Sequence, residues 1–124
     1  MSESQFRQPT QCHLWQSDNL QPEDIDGALE VVETWADESH HSKHLCKCKA
    51  CGQLYVDIWC ELVDWDDGED KTFTFYIPVQ TELDMAQVKK ADPPPLSLDL
   101  LAFFPRINED RGAGTRKVVW IGKS

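Results

Sequence analysis

Residues 53–65 constrain the fold of this chain more than any other stretch. Leu54, Val56, Ile58, Cys60 and Leu62 alternate there with Tyr55, Asp57, Trp59, Glu61, Val63 and Trp65. A period of two is a strand pattern, because successive side chains leave opposite faces of a pleated backbone. The run Asp66-Asp67-Gly68-Glu69-Asp70 then reads as a hairpin loop. The chain returns over Lys71–Val79, with Phe73, Phe75 and Ile77 on one side and Thr72, Thr74 and Tyr76 on the other. An antiparallel sheet is therefore expected at the centre of the fold.

Helices are expected to flank it. Pro22 suits a first helical position, and Glu23, Asp24 and Asp26 suit the positive end of a helix dipole. Ile25, Leu29, Val32 and Ala36 then share one face at helical spacing, which predicts a helix over 22–38. A second helix is expected over 81–91, capped by Thr81. Cys12–Trp15 reads as a short strand, 109–115 as a loop and Lys117–Ile121 as a last strand. Residues 97–104 fit either a buried helical turn or a strand, and residues 1–11 are polar and expected to be disordered. The expected class is α+β: an antiparallel sheet of three to five strands, with an N-terminal helix packed on it, in one domain spanning 1–124.

The chemistry lies in residues 40–52. Cys48-Lys49-Ala50-Cys51-Gly52 places two sulfurs three residues apart on a tight turn. Such a turn can aim both at one ion, and the glycine permits the left-handed backbone the turn needs. A closed zinc site takes four ligands. No Cys or His follows Cys60, so the other two come from Cys12, His13, His40, His41, His44, Cys46 or Cys60. The expected set is Cys12, His40, Cys48 and Cys51, holding structural zinc in a single knuckle. The competing readings are reduced thiols at a β-turn and a redox dithiol. The second lacks its context, since such a dithiol follows a strand and opens a helix.

The chain carries 22 acidic and 12 basic residues, a formal net charge of −10. That balance disfavours general nucleic-acid binding, which needs a basic footprint. Residues 57–70 hold seven acids and no base. With Trp59 among them, Asp57, Glu61, Asp64 and Asp66 form a candidate docking face for a basic protein; the plain alternative is a solvated acidic surface. No apolar run is long enough for a membrane helix. The first residues lack the blocks of a secretory leader, so a cytoplasmic location is expected, with metal-bound or free thiols rather than disulfides.

The stretches Glu38-Ser39-His40, Cys48-Lys49-Ala50-Cys51-Gly52-Gln53-Leu54-Tyr55, Asp64-Trp65-Asp66-Asp67-Gly68-Glu69-Asp70 and Tyr76-Ile77-Pro78-Val79 resemble those of small bacterial proteins of unassigned function that carry a Cys-x-x-Cys-Gly turn. The resemblance spans residues 34–80 and carries no activity. In size and charge the chain is similar to bacterial immunity proteins, which block a cognate toxin. The reading is thus a non-enzymatic zinc-binding protein that engages a basic partner such as a toxin, as an immunity or regulatory factor, with no catalytic residues. The alternative is a small zinc-dependent hydrolase or deaminase with Glu38 as general base.

Overall fold

The computed structural model describes residues 12–17, 19–38, 41–62, 71–91, 104–112 and 115–121. In chain order the elements are α1 (His13–Gln16), α2 (Pro22–Ile25), β1 (Leu29–Glu38), β2 (His41–Cys48), β3 (Leu54–Leu62), β4 (Lys71–Pro78), α3 (Glu82–Lys90), β5 (Arg106–Gly112) and β6 (Thr115–Ile121). The strands form one six-stranded sheet in the order β1-β2-β3-β4-β5-β6. Every neighbouring pair is antiparallel and the strands follow chain order, so the sheet is a meander with α3 inserted between β4 and β5.

This corrects the expected architecture of three to five strands with an N-terminal helix over 22–38. The helix that does start at Pro22 lasts one turn. It carries the expected features: Pro at its start, and Gln21 and Asp24 in a reciprocal capping box. It stops before Gly27, whose φ of +77° is left-handed. Beyond it, Val31, Val32, Thr34 and Trp35 are β-branched or aromatic, and the chain pairs with β2 as an edge strand. The spacing of Ile25, Leu29, Val32 and Ala36 is a coincidence of helical period, because Val32 is half exposed. The expected loop at 109–115 is also corrected: Glu109 to Gly112 belong to β5, paired with β6. Cys12–Trp15 is an N-cap and a helical turn rather than a strand.

The two alternating faces of β3 have distinct roles. On one, Leu45, Val56, Ile58, Phe75 and Ile77 join Val88 and Phe104 in a core that α3 covers. Thr81 caps α3 as expected, its hydroxyl accepting from the Asp84 amide at 3.0 Å. On the other face, Tyr55, Ile107 and Cys48 pack beneath Cys12, Leu14, Leu20 and Ile25. Residues 12–17 and 19–28 thus lie over one half of that second face. Trp120 fastens them there: its indole N–H donates to the Leu14 carbonyl at 2.8 Å, and its ring meets Trp15 edge-on, centroids 4.9 Å apart. Arg116 is the second tie. It bonds Asp26 through two nitrogens at 2.8 and 2.6 Å and the buried Glu109 at 2.8 Å.

Candidate metal centre

The cysteine turn is the β2–β3 hairpin itself. Cys48 ends β2, and residues 49–53 reverse the chain before Leu54. The Gly52 amide donates to the Cys48 carbonyl at 2.8 Å, and the Cys48 amide donates to the Gln53 carbonyl at 2.8 Å. Gly52 has φ +84°, the conformation its place in the motif predicted. The Lys49 amide donates to the Ala28 carbonyl at 2.9 Å, which ties the turn to the segment that crosses it. Gln53 lies fully buried behind it and donates from Nε2 to the carbonyls of Leu54 and Val79.

Cys12 comes to this turn from the far end of the sequence, as the N-cap of α1. Its Sγ and those of Cys48 and Cys51 lie within 4.8 Å of one another, and the three could hold a metal ion. Ligands about 2.3 Å from a tetrahedral ion stand about 3.8 Å apart, so small side-chain rotations suffice to close the set. Cys12 and Cys48 are buried, and Cys51 is partly exposed. Burial pushes the Cys12 thiol up to about 12, with the neighbouring Cys48 adding to the rise. Without a cation Cys12 is therefore a protonated thiol at neutral pH; a bound metal would supply the charge that makes it a thiolate ligand.

His13 follows Cys12 directly, and its Nδ1 lies 3.9 Å from the Cys48 Sγ. Behind the sulfurs, the Tyr55 hydroxyl is buried beside the Cys12 thiol. A thiolate there would accept from it, an outer-shell contact of the kind that orients metal ligands.

Of the residues expected from sequence, Cys12, Cys48 and Cys51 come together. His40 lies outside the described residues. Glu38, the candidate general base, is paired with His41 at one end of the β1–β2 hairpin, whereas Cys48 pairs with Leu29 at the other. Nine steps of about 3.4 Å separate them, so Glu38 cannot act at these sulfurs. Cys60 is buried beside the apolar face, and Cys46 is buried with its thiol pushed up to about 12. Neither belongs to the cluster.

The candidate docking face falls on the same sheet surface as the metal centre. Asp57 and Trp59 line an open cavity of about 480 Å³ there. Glu61 is on the same strand, paired with Thr72 of that cavity's wall. Asp64 and Asp66 lie outside the described residues. Sequence reasoning missed His44, Tyr76, Glu109 and Arg111, which line the cavity as well. His44 was weighed only as a metal ligand and Tyr76 only as a strand residue; the last two were hidden by reading 109–115 as a loop.

No family model matches this sequence, and no curated protein or solved structure matches it. No helix among the described residues is long and apolar enough to cross a membrane.

Proposed function

We propose that this chain is a non-enzymatic, zinc-stapled interaction protein that engages a basic protein partner through its acidic sheet face. The observation that carries the metal half is the convergence of three sulfurs, Cys12 meeting Cys48 and Cys51 from 36 and 39 positions away in the chain. Three thiols select a soft or borderline cation, and zinc is the one that needs no redox chemistry and accepts a tetrahedron. His13 is the proposed fourth ligand: its Nδ1 stands 3.9 Å from the Cys48 sulfur, and a side-chain rotation would have to bring it within reach of the other two sulfurs. Four protein ligands leave no position for substrate, which makes the centre structural. Its work is to pin residues 12–28 onto the sheet, where a one-turn helix cannot hold itself.

The partner half rests on charge and on the resemblance to small bacterial immunity proteins. With a net charge of −10 the chain steers towards basic proteins, and Asp57, Glu61, Asp64 and Asp66 with Trp59 supply the contact. A bacterial cytoplasm, reducing and rich in toxin–immunity pairs, suits a protein whose five cysteines are free.

Native mass spectrometry of the purified protein tests the metal. One zinc per chain, lost in Cys48→Ser and in His13→Ala, is the expected result; a chain isolated metal-free under reducing conditions that takes up no added zinc sinks it. Charge reversal at Glu61, Asp64 and Asp66 tests the partner half. It should abolish a salt-sensitive complex with the captured partner, and an unchanged complex would remove the acidic face from the interaction.

A further inference from the structure

Among the described residues, the face that holds the metal centre is only half covered. Residues 12–28 roof the rows around Tyr55, Ile107 and Trp120. The adjoining rows of β2 to β5 are open and form the cavity of about 480 Å³. Strand register dictates what it contains. His44 stands opposite Asp57, and Asp57 opposite Tyr76; Trp59 stands opposite Thr74, and Thr74 opposite Glu109.

Its two carboxylates are in different states. Glu109 is nearly fully buried, and Arg111 and Arg116 both bond it, at 3.2 and 2.8 Å, so its charge is answered inside the protein. Asp57 is about four-fifths buried, and among the described residues its side chain takes one hydrogen bond, from His44 Nδ1 at 3.2 Å. A carboxylate can accept about four. Burial raises the Asp57 carboxyl above its ordinary range, and the Glu109 charge adds to the rise while His44 opposes it. Asp57 is thus a partly desolvated anion short of donors and short of positive charge, on the wall of an open recess between two aromatic rings.

We propose that this recess receives a guanidinium side chain of the basic partner, held by Asp57 and stacked on Trp59 and Tyr76. The proposal rests on the acidic-face reading above and names the point at which that face is specific. A planar guanidinium supplies two parallel N–H donors to one carboxylate and lies flat on an aromatic face, which meets both unmet needs of the recess. Arg111, itself bonded to Glu109, leaves the rim near neutral and does not repel a cation as a free arginine would.

The test is a titration of the zinc-loaded, isotope-labelled protein with N-acetyl-arginine methylamide, followed by amide and indole NMR shifts. The uncharged isostere N-acetyl-citrulline methylamide and methyl glucoside are the controls. Saturable shifts at His44, Asp57 and the Trp59 indole are expected with the arginine probe, at least tenfold weaker in Asp57→Asn and absent with citrulline. Asp57→Asn should retain one zinc per chain, which verifies that its fold is intact. No saturable shift, equal shifts with citrulline or with the sugar, or unchanged binding in Asp57→Asn would overturn the proposal. If the arginine probe fails while charge reversal at Glu61, Asp64 and Asp66 still breaks the partner complex, the recess falls and the wider acidic face stands.

Discussion

Lys43 Nζ, on β2, donates to the main-chain carbonyl of Val88, in the last turn of α3, at 3.0 Å. The same ammonium reaches the carbonyls of Lys89 at 3.1 Å and Ala91 at 2.8 Å. A lysine on the core face of a central strand looks misplaced in sequence, yet here it is a tether. The last carbonyls of a helix have no intrahelical donors and carry the negative end of its dipole. Lys43 donates to three of these carbonyls, sharing that of Val88 with the Ala91 amide at 3.2 Å, and anchors α3 over the apolar face.

Lys43→Met keeps the length of the side chain and removes the donors. It should destabilise the protein by about 2 kcal/mol, the scale of a lost charge-assisted bond to a buried group. Hydrogen exchange should show the loss concentrated in the amides of α3, with β5 and β6 protected as before. Uniform loss across the sheet would contradict the tether.

Removing the proposed zinc should release the N-terminal segment before the sheet. Chelation, or Cys51→Ser, is expected to cost several kcal/mol, about 10 °C or more in Tm for a chain of this size. Near-ultraviolet circular dichroism should report it through Trp15, whose ring contacts Trp120. A chelated protein that keeps that signal and its Tm would show that the metal does not hold the segment.

Gly52→Ala tests the turn apart from the sulfurs. At φ +84° an L side chain is strained, so the substitution should cost about 1 kcal/mol or slightly more. Zinc affinity should fall with it, because the same turn spaces Cys48 and Cys51. Competition with a chromogenic chelator measures that drop.

Asp57 gives a pH dependence of definite sign. Its folded-state pKa is raised above the unfolded value, so the folded state binds this proton more tightly. The contribution of this group to stability is therefore greatest at acid pH and declines as pH rises through the unfolded and then the folded pKa. Asp57→Asn should remove that decline, leaving the variant as stable as the parent, or more so, at pH 7. The His44 bond survives, since the amide oxygen can still accept it. Urea denaturation from pH 4 to pH 7 checks this, and a variant markedly less stable at pH 7 would refute it.

The sequence by itself determined what depends on neighbours along the chain. The alternation over 54–62 and 71–77 assigned each side chain of β3 and β4 to its face. The Cys-x-x-Cys-Gly spacing defined the turn and its left-handed glycine, and Thr81 marked where α3 begins. Each is a local matter of backbone sterics or hydrogen bonding within four residues. Tertiary structure decided what depends on distant pairing. Residues 29–38 carry a helical apolar period and still form a strand, because an exposed edge buries too little for its pattern to be read, and β2 offers the hydrogen bonds. Glu109 to Gly112 become a strand only because β4 and β6 lie on either side. Cys12 reaches Cys48 because the indole of Trp120 and the guanidinium of Arg116 fix residues 12–28 over the sheet. Asp57 becomes a mostly buried carboxylate, with one hydrogen bond among the described residues, because strand register sets it beside His44 and Tyr76. None of these distances is encoded in spacing along the chain, since they arise when hydrophobic burial folds the meander and long-range contacts repay the entropy of closing it.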